Sequence, residues 1–253
     1  MSKLPSTHKF IDLSDYGRPI ARIIANSLKE TSFTPIHVTI CFVISGLIAI
    51  YCILVDCLWA ASFFLVLKSI LDAADGELAR LKETPSYTGR YLDSVSDIIL
   101  NLFIFIALWY TTEVHLIYSF LAFLGTQLQG TLYNYYYVIL RNNLNGDTTS
   151  RIFEYDTPVA LMGETQKNVN LLFAIYKFFY GVFDKTIYKL DPNASKSKRF
   201  PSIFMTAISI FGLGFQLLII SYMLVLGYKD AIIPFFIGYT ALILVFIGIR
   251  RLL

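Results

Sequence analysis

Four aspartates are the residues of this sequence best suited to chemistry, and they come in two pairs, Asp72 with Asp75 and Asp93 with Asp97. A spacing of three or four residues places both carboxylates of a pair on one face of an α-helix. Carboxylate oxygens favour hard divalent ions such as Mg²⁺ or Mn²⁺ over zinc. If the two helices are antiparallel neighbours, the pairs face each other and can hold two such ions, an arrangement suited to phosphoryl transfer.

Small residues accompany the aspartates on the same two helical faces. Gly76, Ala79 and Gly89 leave room for a bulky ligand to approach the helix backbone. Arg80 supplies a fixed cation for a phosphate. Aspartates can also lie at solvated helix ends without function, but four at this spacing with small neighbours argue for a site. The histidines are scattered along the chain and offer no competing ligand cluster.

The stretch from Asp72 to Asp97 resembles the signature of the CDP-alcohol phosphotransferase family, D-x-x-D-G-x-x-A-R-x8-G-x3-D-x3-D, at every position. The resemblance extends to Pro35 and Thr39, where members often show P-N-x-x-T, although Ile36 replaces the Asn. It implies attack of an alcohol on the β-phosphorus of a CDP-linked donor, with release of CMP. The expected setting is phospholipid biosynthesis.

Position by position, the resemblance implies that the four aspartates bind two divalent ions, Mg²⁺ or Mn²⁺. Asp97 would also be the general base for the acceptor hydroxyl. Arg80 would support the cytidine diphosphate, in a pocket lined by Gly76, Ala79 and Gly89. Dimerisation is common in this family, so a homodimer is expected.

The resemblance leaves the identity of the two substrates open. The usual donor is CDP-diacylglycerol with a soluble alcohol as acceptor, whereas other members transfer a polar headgroup from a donor of the CDP-inositol or CDP-choline type. In the fourth apolar segment, four polar residues and a glycine share one helical face: Gln127, Gly130, Thr131, Asn134 and Arg141. For Gln127 and Thr131, a hydrogen bond between helices explains the polar side chain as well as a position facing a cavity does. Arg141 is the better candidate to bind an acceptor phosphate, with Arg151 and Arg199 as weaker ones, which favours a phosphorylated polyol.

The elements that position these residues are predicted to be membrane-spanning helices. Of the 253 residues, 56% are hydrophobic and 15% charged, against about 25% charged in soluble domains. Helix is expected because a lone strand in lipid leaves its backbone groups unpaired. We predict an all-α integral membrane bundle of six transmembrane helices at about 37–56, 57–81, 88–112, 114–141, 202–227 and 230–250, with a cytoplasmic loop at 142–201.

An N-terminal segment, 1–36, precedes the predicted catalytic domain, 37–253. Its residues 14–31 place isoleucines on one helical face and basic residues on another, which predicts an interfacial amphipathic helix. Within the long loop, residues 168–190 are rich in aromatic side chains but contain Lys177 near the middle. Because a buried lysine is unfavourable in lipid, we expect a second interfacial helix there rather than a seventh span.

Lysine and arginine concentrate near both termini, around the turn between the second and third spans, and in the 142–201 loop. This distribution predicts that both termini and the aspartates face the cytoplasm. The expected partners are the CDP-linked donor, a small alcohol and membrane lipid, with no nucleic acid. Two rival functions remain. A membrane prenyltransferase would normally show two separated Asp motifs, and a cation transporter would place further acids deeper along a path.

Overall fold

A computed structural model describes residues 10–144, 154, 156–197 and 200–253, and the regular structure within these ranges is helical. In chain order the α-helices of this part are α1 Arg18–Leu28, α2 Pro35–Leu54, α3 Leu58–Leu81, α4 Tyr87–Tyr110, α5 Leu116–Asn143, α6 Gln166–Leu190, α7 Ser202–Ile208, α8 Leu213–Val225, α9 Ile232–Thr240 and α10 Leu242–Leu252. The predicted all-α fold is therefore confirmed for the part of the chain that the structure describes.

α3 and α4 form the antiparallel hairpin that carries the aspartates. Their connection is tight because Glu83 adopts a left-handed backbone conformation with φ of 54°. Ser86 then caps α4, and its hydroxyl oxygen accepts a 2.8 Å hydrogen bond from the backbone N–H of Gly89. α2 packs against both helices of the hairpin. The aspartate-bearing faces can therefore meet between α3 and α4, as the sequence predicts.

Three helical segments are long and apolar enough to cross a membrane: Pro35–Leu54, Tyr87–Tyr110 and Lys229–Leu252. A fourth is reached if Ser202–Phe211 and Leu213–Val225, which meet at a bend of 53°, form one broken span. Among the described residues, α3 and α5 are long enough, with 24 and 28 residues, but not apolar enough to be counted. Many of their polar side chains are buried in the bundle. Composition therefore leaves the predicted number of six spans unconfirmed.

Contacts between the helices show how they run from one end of the bundle to the other. Ser62, near the start of α3, donates a 2.9 Å hydrogen bond to the carbonyl of Ser221 in the second half of α8, so these two helices are antiparallel. Gln129 of α5 donates to the hydroxyl of Thr240 in α9 at 3.0 Å. Gly125 permits this close approach, because a Cβ there would lie 2.1 Å from Thr240 Oγ1. We call the end of the bundle that holds the aspartates the aspartate end.

α1 lies on α3 at the aspartate end. Ala21 and Ala25 are fully buried in this contact, whereas Ile20 and Ile23 are 51% and 69% exposed. α1 therefore packs through its alanines and turns its isoleucines outward, and its position in the membrane interface stays a prediction. The α-helix itself begins at Arg18 rather than at residue 14.

Both ends of α6 are held at the aspartate end. Before its first turn, Glu164 accepts hydrogen bonds from the start of α4. After its last turn, Asp191 accepts a 2.6 Å bond from Tyr136, near the end of α5, and a 2.6 Å bond from Arg250 Nε, near the end of α10. α6 therefore starts and ends at the same end of the bundle, and its position in the membrane interface stays a prediction.

Candidate metal centre

Three of the four aspartates converge between α3 and α4. Carboxylate oxygens of Asp72, Asp75 and Asp93 lie within 4.8 Å of one another. Asp75 is also held by α2, because the hydroxyl of Thr39 donates a 2.7 Å hydrogen bond to Asp75 Oδ2. Thr39 belongs to the P-x-x-x-T pattern noted in the sequence. The presence of Ile36 in place of the usual Asn therefore leaves this contact of the pattern intact.

The electrostatics of this cluster favour a cation. Asp93 Oδ1 is buried and has no hydrogen-bond partner within the described ranges. A buried carboxylate without a partner is unfavourable, and neighbouring carboxylates make it more so unless positive charge enters. An oxygen-only set of donors fits a hard divalent ion such as Mg²⁺ or Mn²⁺. The residues present therefore fit the kind of metal that the sequence predicts.

Asp97 is not a member of this group of three, although it interacts electrostatically with each of them, and it is paired with a lysine. Lys68 Nζ donates a 2.5 Å hydrogen bond to Asp97 Oδ1. Lys68 is 0% exposed, and its ammonium also lies 5.1 Å from the centre of the Phe42 ring. The sequence did carry a signal for this residue, because Lys68 precedes Asp72 by one helical turn on the same face. Metal binding by Asp97 stays a prediction.

The residues predicted to line a nucleotide pocket differ in how closely they are packed. A Cβ built at Gly76 would find as nearest neighbours the guanidinium nitrogens of Arg80 at 3.6 Å. At Gly89 the nearest neighbour would be Ser86 Oγ at 3.3 Å. Ala79 is also only partly buried. A Cβ would therefore be in ordinary contact at Gly76 and crowded at Gly89, and the contact of these residues with a cytidine nucleotide stays a prediction.

Glu77 links Arg80 to the N-terminal helix. Its carboxylate lies 3.4 Å from Arg80 Nη2, 3.7 Å from Arg22 Nε and in a short ion pair with Arg18. Burial alone would lower the pKa of the Arg18 guanidinium, but the carboxylates of Asp15 and Glu77 outweigh that effect and raise it. The predicted phosphate-binding Arg80 is therefore part of a charged network that joins α1 to α3. No sequence pattern indicated this network.

Arg141 is the one predicted acceptor-binding arginine within the described ranges, since Arg151 and Arg199 lie outside them. Its side chain is buried at the aspartate end of α5, and its guanidinium lies 5.6 Å from the centre of the Tyr137 ring. On the polar face proposed for α5, Gln127 and Thr131 are buried, whereas Asn134 is exposed. Hydrogen bonds between helices are made instead by a neighbouring residue: the Oε1 of Gln129 accepts a 3.0 Å bond from Gln216 of α8.

Glu164 is a residue of this end that sequence reasoning missed. Its carboxylate accepts hydrogen bonds from the backbone N–H groups of Thr88 at 2.6 Å and Tyr87 at 3.2 Å, and from the Ser86 hydroxyl at 2.7 Å. It also accepts a 3.0 Å bond from the backbone N–H of Leu161. Negative charge at a helix N-terminus is stabilising. The loop before α6 is therefore fastened to the first turn of α4, two turns or less from Asp93.

Comparison with known proteins adds an independent line of evidence. The family model for CDP-alcohol phosphatidyltransferase matches residues 32–242. The matched range runs from α2 to α9, so it contains every aspartate of the candidate metal centre and Lys68. No curated protein matches the chain.

Proposed function

Because this chain belongs to the CDP-alcohol phosphatidyltransferase family, we propose that it takes CDP-diacylglycerol as donor and transfers the phosphatidyl group to a phosphorylated polyol, releasing CMP. Transfer from a CDP-alcohol to an alcohol follows from the family, as the sequence resemblance implied; the two substrates are the proposal. The observation that carries the proposal is the group of three carboxylates within 4.8 Å, next to Gly76, where a Cβ would meet nothing closer than 3.6 Å.

Asp72, Asp75 and Asp93 would hold one divalent ion, and Asp97 would take part in holding a second, with Mg²⁺ and Mn²⁺ as the proposed metals. When bound, the metal neutralises the donor diphosphate and stabilises the charge that develops during transfer. Thr39 keeps Asp75 in place by donating to one of its two oxygens. The other oxygen stays available as a ligand.

Asp97 is the proposed general base. Its Oδ1 faces Lys68 in this structure, and its Oδ2 would accept the proton of the acceptor hydroxyl. The hydroxyl oxygen forms the new bond to the β-phosphorus, and the bond between that phosphorus and the CMP oxygen breaks. The electron pair leaves with CMP, whose added negative charge Arg80 would balance.

The choice of donor rests on where the carboxylates lie. They are positioned by helices at one end of an apolar bundle, and the family match and the apolar helices indicate an integral membrane protein. A lipid donor can keep its acyl chains in the bilayer while its diphosphate reaches such a site. The choice of acceptor rests on Arg141, because a buried guanidinium at the aspartate end suits a phosphate group.

We also propose the arrangement in the membrane. Six spans result if α3 and α5 cross with their polar side chains turned into the bundle, and if the pairs α7–α8 and α9–α10 each cross once. The aspartate end and both termini would face the cytoplasm, because lysine and arginine concentrate there. A homodimer is proposed from the family, and the exposed apolar side chains of α2 are compatible with either lipid or a second copy.

The test is a CMP-release assay on the full-length protein in lipid nanodiscs. CDP-diacylglycerol, CDP-inositol and CDP-choline are each combined with a panel of free and phosphorylated alcohols, in the presence of Mg²⁺, Mn²⁺ or EDTA. We expect metal-dependent CMP release with CDP-diacylglycerol and a phosphorylated polyol, and none from the Asp93→Asn variant. The product should contain both the diacylglycerol phosphate and the polyol.

Other outcomes would replace the proposal. CMP release from CDP-choline or CDP-inositol alone would identify a headgroup transferase. Release of pyrophosphate from a prenyl diphosphate would favour a prenyltransferase, and ion flux in liposomes without CMP formation would favour a transporter. No CMP from any pair, with folded and metal-loaded protein, would remove the catalytic interpretation.

A further inference from the structure

Lys68 is a fully buried cation beside the candidate metal centre. It projects from α3, one turn before Asp72, and is 0% exposed. Its Nζ lies 2.5 Å from Asp97 Oδ1, and its remaining surroundings include the face of the Phe42 ring at 5.1 Å. A buried ammonium in a membrane bundle is unfavourable unless paired, and such residues are usually functional.

The Lys68–Asp97 pair divides the four aspartates into two unequal parts. Asp72, Asp75 and Asp93 have their oxygens within 4.8 Å of one another. Within the described residues, no lysine or arginine forms an ion pair with any of these three carboxylates. The charge of Asp97, in contrast, is already balanced by an ammonium that the chain itself supplies. A divalent ion is therefore attracted more strongly to Asp72, Asp75 and Asp93 than to Asp97.

We propose that Lys68 is a positioning residue that occupies the second cation position of the site. Without substrate, the protein then binds one divalent ion tightly, at Asp72, Asp75 and Asp93. A second ion binds tightly only when the donor diphosphate brings additional negative charge. This inference rests on the proposed function, because it assumes that the aspartates bind metal.

The structure gives the reason for this order of binding. An ion that uses Asp97 Oδ1 must displace the ammonium from a 2.5 Å contact, and the displaced ammonium has no water to receive it because Lys68 is fully buried. Replacing Lys68 by a neutral side chain of similar length removes this competitor. It also leaves the Asp97 carboxylate without its cation, so a second divalent ion becomes the best available partner.

The experiment measures Mn²⁺ binding to the full-length protein in nanodiscs without any substrate, by electron paramagnetic resonance of the free ion. For the wild type we expect one tightly bound ion per chain and a second that is weaker by tenfold or more, on the order expected for one buried charge contact. Lys68→Met should strengthen binding of the second ion about tenfold and change the first less, because the ammonium also acts on Asp72 and Asp93 but forms its ion pair with Asp97. Lys68→Arg, which keeps the charge, should resemble the wild type.

The outcomes separate this inference from the function on which it rests. Two ions of equal affinity in the wild type, with normal CMP release, would overturn the role of Lys68 and leave the proposed function standing. The same holds if Lys68→Met binds its second ion no better than the wild type. No tight Mn²⁺ and no CMP release would instead overturn the proposed function. If Lys68→Met does not fold, two measurements still test the inference. One is the number of tightly bound ions per chain in the wild type. The other is that number in the Lys68→Met/Asp97→Asn double variant, which we expect to be one.

Discussion

The carboxylate of Glu164 accepts a 2.6 Å hydrogen bond from the backbone N–H of Thr88, which joins the loop before α6 to the first turn of α4. The helix N-terminus supplies positive partial charge to this carboxylate, and the carboxylate satisfies N–H groups that have no partner within the helix. The same helix carries Gly89 and Asp93. The loop thus fixes the start of the helix on which half of the candidate site is built.

We expect Glu164→Ala to lower the free energy of unfolding by about 1–2 kcal/mol, because the first turn of α4 loses its carboxylate partner. Thermal unfolding of the protein in detergent measures this change. Asp156→Ala is the matched control, since Asp156 is an exposed acid in the same loop. Equal melting temperatures for the Glu164 variant and the control would show that the loop contact contributes nothing to stability.

The same contact predicts a dependence on pH. Burial alone would raise the pKa of the Glu164 carboxyl, but hydrogen bonds from the Thr88 backbone and the Ser86 hydroxyl outweigh that effect and lower it below the ordinary 4.5. A carboxyl with a lowered folded-state pKa stabilises the fold above its unfolded pKa, and this contribution is lost as pH falls through the folded value. Glu164→Gln should therefore melt below the wild type at about pH 7, and the gap should close as pH falls from the unfolded pKa through the lower folded-state pKa of Glu164. A gap that persists in acid would contradict the assignment.

The carboxylate cluster predicts stabilisation by metal. A ligand that binds only the folded protein stabilises it by about 2.7 kcal/mol at a hundredfold excess over its Kd. We expect Mg²⁺ or Mn²⁺ to raise the melting temperature of EDTA-treated wild type, and to have little effect on Asp93→Asn, which lacks the negative charge of the buried carboxylate. Asp56→Asn is the control, because Asp56 is exposed at the opposite end of the bundle. Equal metal-induced shifts in Asp93→Asn and the wild type would exclude Asp93 as a ligand.

The helices of the site and the shared faces of its aspartates could be predicted from the sequence, because helical spacing is a local property. Asp72 and Asp75 lie one turn apart whatever the rest of the chain does. The partner of Asp97 could not be predicted with equal certainty, because Lys68 is 29 residues away and reaches it from another helix. The contact between Glu164 and Thr88 spans 76 residues and involves a loop with no recognisable pattern.

Hydropathy gave the clearest result where helices face lipid and the least clear where they face one another. α2 contains no Asp, Glu, Lys or Arg, and the α9–α10 pair contains only Arg250 and Arg251 at its end, so their composition alone marks them as spans. α5 carries Gln129 at full burial, where it bonds to Thr240 and Gln216. Such interior polar groups lower the mean hydropathy of a helix without making it less suited to a bundle.

Gly125 predicts a packing effect that is independent of catalysis. A Cβ at this position would lie 2.1 Å from Thr240 Oγ1 and 3.2 Å from its Cβ, so Gly125→Ala forces α5 and α9 apart. We expect a loss of about 1–3 kcal/mol in stability. Gly238→Ala is the matched control, because a Cβ there would meet nothing within 4 Å. Equal melting temperatures for the two variants would show that α5 and α9 are not packed as described.

Arg141 tests the proposed acceptor. Its guanidinium is buried at the aspartate end of α5, where a phosphate on the acceptor would gain a charge-assisted hydrogen bond. Arg141→Ala should raise the KM for a phosphorylated polyol roughly tenfold or more while leaving the KM for CDP-diacylglycerol within about twofold, since the lost contact is worth about 1.5–3 kcal/mol. Steady-state CMP release measures both constants.

Lys185→Ala is the control, because Lys185 is an exposed cation on α6. If Arg141→Ala leaves the acceptor KM and kcat unchanged, Arg141 does not bind the acceptor. If both KM values rise together, the residue acts on the fold of this end and the acceptor phosphate must be bound elsewhere.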